Sequence, residues 1–267
     1  MELQDGASGP GPGPGEVLIF HGFTHVLAQE GMRTRLMGCL SPEEEARRRA
    51  FAFPRDRDLF LLAHAVKRLA LGRVLGVDPL GLAFTRDAFG KPVLAGPFQA
   101  GPLEGELGFS LSHSGEAVAV AIARAPMVGI DVEAHAREVP LEAMAMVMAD
   151  AEVADLAASG GAARRKAFAY WTLREAFAKA VGLGLSLPRN DVSFRLAAQG
   201  PTGTGPPAMD HLAGQWGAVG DWQLHQCDLG TTHLLAAAVR APSVAWRLVP
   251  IETVLTCGTS IRLSVNT

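Results

Sequence analysis

Two acids stand two residues apart in Gly129-Ile130-Asp131-Val132-Glu133. On a β-strand this spacing puts both carboxylates on one face, close enough to share a cation, and Gly129 lets another chain or a ligand approach closely. A third acid, Glu175, lies in Trp171-Thr172-Leu173-Arg174-Glu175-Ala176-Phe177-Ala178-Lys179, where Trp171, Glu175 and Lys179 are spaced four apart and line one face of a helix. Magnesium takes hard oxygen ligands and usually keeps waters and a substrate phosphate. Asp131, Glu133 and Glu175 could supply the protein's share, with Lys179 one turn further on, facing the phosphate. Each motif also admits a plainer account. The strand acids could be the solvated side of an alternating strand, and Glu175 with Lys179 a surface ion pair worth only a few tenths of a kcal/mol.

The elements that must position these residues are legible in part. Residues 17–20 read as a strand. Ser41-Pro42-Glu43-Glu44 is a helix start, with Ser41 as N-cap, proline at the first position and acids in the first turn. That helix pauses near Pro54, and a second, amphipathic helix runs over 56–75 and ends at Gly76. Residues 82–86 read as a strand and Phe89-Gly90-Lys91-Pro92 as a turn. Two further strands, 107–112 and 117–123, are joined by His113-Ser114-Gly115-Glu116, and 128–133 is another strand. Residues 140–158 are helical by pattern, and a long helix over 164–181 closes at Gly182. Residues 192–196, 222–228 and 234–240 are expected to form a second antiparallel sheet, with a Gly/Pro-rich loop at 199–207. The class is α+β, with two similar subdomains, each a small antiparallel sheet packed with helices. The chain divides into a flexible Gly/Pro tail (1–15), an N-terminal subdomain (16–126), a C-terminal subdomain holding the metal site (127–242) and a C-terminal extension (243–267). Without visible identity between the halves, an internal duplication is only a suspicion.

Composition removes several alternatives. A chain of 267 residues can bury a substantial core, and its 48% apolar and 19% charged residues are those of a soluble globular protein. The net charge of −3 argues against a nucleic-acid binder. Lysine occurs only at Lys67, Lys91, Lys166 and Lys179, so each is informative. Cys39, Cys227 and Cys257 are odd in number and far apart, which supports neither a zinc site nor a disulfide framework and suits thiols in a reducing cytoplasm. No apolar run reaches the ~20 residues of a membrane helix. The N-terminus, MELQDG, lacks the basic and apolar segments of a secretory signal.

Together, Val128-Gly129-Ile130-Asp131-Val132-Glu133 and the helix from Trp171 to Lys179 resemble the paired signature of surfactin-type 4′-phosphopantetheinyl transferases. That pattern is G-[IV]-D-[IV]-E followed downstream by W-[ST]-x-K-E-[AS]-x-x-K. The similarity extends to Gly90-Lys91-Pro92, to Phe109-Ser110-Leu111-Ser112-His113-Ser114-Gly115 and to Gly182-Leu183-Gly184-Leu185, in the family's order. The length matches the two-subdomain, pseudo-dimeric kind, which implies a monomer.

The resemblance implies a cytoplasmic enzyme that moves 4′-phosphopantetheine from coenzyme A to a serine of an apo acyl or peptidyl carrier protein, releasing 3′,5′-ADP. It implies that Asp131, Glu133 and Glu175 hold magnesium, with manganese as the alternative, that Glu175 is a candidate base and that Lys179 contacts the phosphates. His113, with Ser112 beside it, is similar to the histidine that meets the 3′-phosphate, and Lys91 is placed at the nucleotide. Arg174 stands where the family more often has lysine. Leu59 occupies the expected place of a nucleotide-binding arginine, with Arg55 and Arg57 nearby as substitutes. Met148-Ala149 replace the family's Phe-Ser ahead of Glu152, which either supports the metal site or is a structural helix acid. Carrier contacts are expected over 182–188, with Arg189 and Arg195 alongside. The Leu59 departure motivates the alternative, a catalytically silent coenzyme A-binding module.

Overall fold

The computed structural model describes residues 11–96, 107–136, 138–196 and 206–256. The helix start at Ser41 is a reciprocal cap: the Glu44 N–H donates to Ser41 Oγ (3.3 Å), and the Ser41 N–H donates to the Glu44 carboxylate (3.1 Å). It opens α2 (Pro42–Ala50), which follows strand β1 (Glu16–Phe23) and the short helix α1 (Met32–Met37). Helix α3 (Pro54–Leu75) starts two residues earlier than the periodicity suggests, because Pro54 serves as its first residue. It ends where Gly76 adopts φ 68°, in the left-handed region. Strands β2 (Phe84–Arg86), β3 (Pro92–Leu94), β4 (Gly108–Ser114) and β5 (Ala117–Ala123) complete the first half.

The second half repeats this order: β6 (Val128–Ala134), α4 (Leu141–Ala145), α5 (Asp150–Ala157), α6 (Ala163–Val181), β7 (Val192–Arg195), β8 (Ala208–Leu212), β9 (Trp222–Leu229) and β10 (His233–Arg240). The sheets match as well. β1 lies antiparallel on β5 with Val17 opposite Ala123, and β6 lies antiparallel on β10 with Val128 opposite Val239. The duplication suspected from element order is thus present in the topology.

Alternation along the strands sets the layers. On β5, Val118, Val120 and Ile122 face the first helical core with Leu18 and Phe20, while Ala117, Ala119, Ala121 and Ala123 face the second sheet with Val17 and Ile19. From the other side Val128, Ile130, Val132, Leu235, Ala237 and Val239 meet them. Small alanines let the two sheets approach, so each sheet has its helix outside and its partner sheet inside. The alternation of β6 then sends Gly129, Asp131 and Glu133 toward α6.

Several expectations are corrected. Residues 192–196 do not join the second sheet: β7 pairs only with β8 in a separate hairpin, and β6 supplies the third strand, in the order β6-β10-β9. Residues 140–158 form two short helices, because Ala149 is extended and Glu152 turns back to accept its N–H at 2.9 Å. The turn after β4 is only Gly115-Glu116, since His113 and Ser114 belong to the strand. The described part of the stretch read as an extension packs with the first half. Strand β11 (Ala245–Pro250) runs parallel to β1 as the outer strand of its sheet, and Ile251, Val254 and Leu255 are buried in the first core, where α7 (Glu252–Thr256) packs. Of the supposed tail, Pro12 is held by a bond from Arg124 Nε to its carbonyl (2.8 Å), and the Gly13 N–H donates to Glu16 (3.0 Å). Residues 1–10, 199–205 and 257–267 of the expected tail, loop and extension lie outside the described residues. No described helix is long and apolar enough to cross a membrane.

Candidate active site

Helix α6 crosses β6 with almost no gap. A Cβ built on Gly129 would lie 1.9 Å from the Ala176 carbonyl oxygen and 2.5 Å from the Ala180 nitrogen, so only glycine permits this contact. The close approach brings Lys179 onto the strand acids. Its ammonium donates to Asp131 Oδ1 at 2.6 Å and to Ser112 Oγ at 2.9 Å. The partner of Lys179 is therefore Asp131 rather than Glu175 one turn back. Ser112 Oγ donates to the same Asp131 oxygen (2.9 Å), and Ser114 Oγ donates to Glu133 Oε2 (2.6 Å).

Asp131 and Glu133 are buried. Burial raises the pKa of Asp131 above the ordinary carboxylate range, against the pull of Lys179. Burial also raises Glu175, and the charges of Asp131 and Glu133 raise it further, so the three acids share one electrostatic neighbourhood. Asp131 Oδ2 is buried with no hydrogen-bond partner among the described residues. An orphaned carboxylate oxygen beside two more acids is chemically suited to a hard cation. The set is not closed, however: no three His, Cys, Asp or Glu side chains among the described residues stand close enough together to hold a metal ion. Magnesium needs few protein ligands when substrate phosphate and water complete its shell, so the donor set fits.

In front of Ser112 and Lys179 opens a cleft of about 760 Å³ walled by the first half, with Lys179 reaching in from the second. Five basic side chains line it, Arg47, Lys67, Arg68, Arg86 and Lys179, against the two acids Glu43 and Glu44. Such a balance attracts a polyanion. Its floor is a network on Glu44, which accepts from Lys67 Nζ (2.8 Å) and Arg68 Nε (2.6 Å) and lies 2.9 Å from His64 Nδ1. Burial alone would raise the Glu44 pKa, but its bonds to His64 and Lys67 outweigh it and hold the carboxyl far below the usual range. Lys67 also sits 3.9 Å above the Phe84 ring.

The same device recurs in the second half. Arg68 donates to the carbonyls of Pro79 and Leu82 (both 2.9 Å), and Arg174 donates to those of Val192 and Arg189 (both 2.8 Å) while pairing with Glu152 at 3.3 Å. Glu152 caps α5 as Glu44 caps α2.

Residues 127–233 match the model of the 4′-phosphopantetheinyl transferase superfamily, and residues 29–125 match that of the 4′-phosphopantetheinyl transferase N-terminal region. The phosphopantetheinyl transferase of Thraustochytrium sp. is 30% identical over 239 residues, covering 82% of this chain and 79% of its own. The 4′-phosphopantetheinyl transferase Sfp of Bacillus subtilis is 31% identical over 175 residues, 65% of this chain and 74% of its own. HetI of Nostoc sp., also a 4′-phosphopantetheinyl transferase, is 34% identical over 153 residues, 57% and 63%. The chain belongs to the 4′-phosphopantetheinyl transferase superfamily.

Within this phosphopantetheinyl transferase the expected site residues divide. Ser112, His113 and Lys179 line the cleft, and Asp131 lies directly behind them. Cleft-wall desolvation, then the Lys179 charge, lowers the pKa of His113. Lys91 is not on the cleft: its ammonium donates to the Val128 carbonyl (3.0 Å), tying the halves together, and burial pulls its pKa down to about 8. Arg174 is buried away from the cleft in a network with Glu152, whose other carboxylate oxygen accepts the Phe194 N–H at 2.9 Å. Arg55 and Arg57 miss the cleft as well. Arg55 stands over Phe53 beside Asp56, and Arg57 Nε bonds the Phe51 carbonyl (2.8 Å), because the first turn of α3 winds both outward. Leu59 packs on the first core.

The cleft's basic residues other than Lys179 escaped the sequence reading. A signal for part of them existed: His64, Lys67 and Arg68, at i, i+3 and i+4, are one polar stripe on an otherwise apolar buried helix. Lys67 and Arg68, with Arg47 and Arg86, place positive charge on the cleft wall, where Leu59 places none. After the end of α6, Leu185 is 75% exposed, and Phe89, 63% exposed, lies next to Gly182. Arg189 and Arg195 are paired with Asp150 and Asp210.

Proposed function

We propose that this chain transfers 4′-phosphopantetheine from coenzyme A to a serine hydroxyl of an apo acyl or peptidyl carrier protein, releasing 3′,5′-ADP. The observation that carries this reading is a strongly basic cleft that ends at Ser112 and Lys179, with the buried, half-unpartnered Asp131 behind them. The phosphates of coenzyme A occupy the cleft against Arg47, Lys67, Arg68 and Arg86, with His113 at the 3′-phosphate. Asp131, Glu133 and Glu175 would hold magnesium, or manganese, which supplies neutralisation of pyrophosphate charge.

The carrier serine attacks the phosphorus nearer the pantetheine. A new P–O bond forms as the bond to the 3′,5′-ADP oxygen breaks. Glu175, whose pKa is raised by burial and by its acidic neighbours, accepts the serine proton directly or through water. Lys179 leaves Asp131 for the departing phosphate oxygen and screens its charge. The carrier docks over residues 182–188, where Leu185 is exposed. The protein acts as a monomer, since its two halves already pair within one chain, and in the cytoplasm, which suits the free thiols Cys39 and Cys227. Incubation with coenzyme A, magnesium and a panel of apo carriers, read by mass spectrometry, should show phosphopantetheine added to at least one carrier. Coenzyme A binding with every carrier unmodified overturns the reading.

A further inference from the structure

Strands β4 and β6 lie side by side without sharing a backbone ladder, for β4 pairs only with β5 and β6 only with β10. The N–H groups that β6 turns toward β4 are taken instead by serine hydroxyls. Ile130, Val132 and Ala134 donate to Ser110, Ser112 and Ser114 at 3.2, 3.3 and 3.3 Å. The spacing of two on both strands makes three rungs of one seam between the halves.

A hydroxyl carries one proton and two lone pairs. Once a lone pair accepts a β6 N–H, the proton is left to be aimed elsewhere, and the residue opposite decides the target. Ser110 stands beside Gly129, which offers no acceptor side chain. Ser112 donates to Asp131 and takes the Lys179 ammonium on its second lone pair. Ser114 donates to Glu133 at 2.6 Å, a short bond of the charge-assisted kind. The Ser114 backbone is itself anchored: His233 Nε2 lies 3.0 Å from the Ser114 carbonyl oxygen, and His233 Nδ1 lies 2.8 Å from Thr232 Oγ1. That pattern places the ring proton on Nε2 and lets Nδ1 accept from the threonine hydroxyl. His233 also packs on the turn, where a Cβ on Gly115 would lie 2.9 Å from Nε2.

We propose that Ser114 is a positioning residue of the transferase: its hydroxyl, on a backbone anchored by His233, orients the Glu133 carboxylate for the divalent cation. The inference rests on the reading that Asp131, Glu133 and Glu175 hold that cation. Ser114 does not line the cleft and bonds Glu133, so its effect is expected on metal affinity before turnover. Outer partners of ligating carboxylates typically contribute about 10–100-fold in metal affinity.

The test compares Ser114→Thr with Ser114→Val in the full-length protein. The two side chains have nearly the same shape, and only threonine retains a hydroxyl. Manganese is the probe, with free Mn²⁺ followed by electron paramagnetic resonance in the presence of coenzyme A, and melting temperatures are recorded for both variants. Ser114→Val should weaken Mn²⁺ binding about 10-fold or more and raise the metal concentration for half-maximal transfer by a similar factor, with a smaller change in kcat at saturating metal. Ser114→Thr should stay within about threefold of the parent. Ser110→Ala, which removes the same kind of N–H acceptor beside Gly129, should lower the melting temperature and leave Mn²⁺ affinity unchanged. Equal Mn²⁺ affinity for the valine and threonine variants overturns the proposal while leaving the cation site standing. Parent protein whose Mn²⁺ binding is absent, or is unchanged by Asp131→Ala, overturns the cation site and the proposal with it.

Discussion

Gly129→Ala is the smallest change that should separate α6 from the strand acids. The new Cβ would stand 1.9 Å from the Ala176 carbonyl oxygen, where ordinary contact begins at 3.4 Å, so strand and helix must part by about 1.5 Å. Both obstructing atoms belong to the helix backbone and cannot rotate away. Overpacking of this kind costs about 1–3 kcal/mol, and a rigid backbone obstruction belongs at the upper end. The same displacement carries Glu175 and Lys179 away from Asp131. A misplacement of about 1 Å can lower turnover roughly 100-fold even in molecules that remain folded. Gly22→Ala is the control. It occupies the position equivalent to Glu133 in the first half, and its Cβ would meet the buried Ile251 side chain at 2.3 Å, so it should cost stability in the first core without moving α6 from the strand acids. Urea unfolding gives the stability loss, and carrier modification per folded molecule gives the turnover. Gly129→Ala with parental stability and turnover would refute the claim that the helix–strand approach assembles the site.

Three further outcomes follow from the same geometry. Glu44→Gln leaves Lys67 and Arg68, both under 5% exposed, without their carboxylate; urea unfolding should show a loss of about 3–5 kcal/mol, and a loss below ~1 kcal/mol contradicts the network's role. Lys91, with its pKa lowered from 10.5 to about 8, binds fewer protons in the folded than in the unfolded chain between those values. Its contribution therefore makes stability rise with pH across that window, and Lys91→Met should flatten the rise in melting temperature between pH 8 and 10.5 relative to the parent. Coenzyme A affinity should fall with added salt, and Arg86→Ala should weaken it about 10-fold by calorimetry; salt-independent binding would contradict a cleft built on charge.

The residues that could be read from the sequence are those whose local pattern already implies their environment. Ser41 to Glu44 specify a cap, Gly76 and Gly182 specify helix ends, and the alternation of Val128, Ile130 and Val132 with Gly129, Asp131 and Glu133 specifies two faces. What could not be read depends on partners remote in the chain. Nothing near Ala245 indicates that β11 returns to β1, and nothing near Val192 distinguishes a hairpin with β8 from a place in the sheet. Arg174 stands at the place of a family lysine, which implies a cofactor contact, yet one helical step from Glu175 turns its side chain into the Glu152 network. The duplication is hidden for a related reason. Strand register and helix ends equate Phe20, Gly22 and Leu69 with Asp131, Glu133 and Glu175, so the halves share a framework and differ where the chemistry is. That difference puts the three acids on the second half, while the first half contributes Lys67 and Arg68 to the cleft.

The most direct measurement is a crystal structure with coenzyme A and manganese, the metal located by its anomalous signal. The account predicts one manganese ion contacting Asp131, Glu133 and Glu175 together with the pyrophosphate, and Lys179 moved from Asp131 to a phosphate oxygen. Coenzyme A bound in the cleft with Lys179 still on Asp131, and the manganese at some other position, would contradict it.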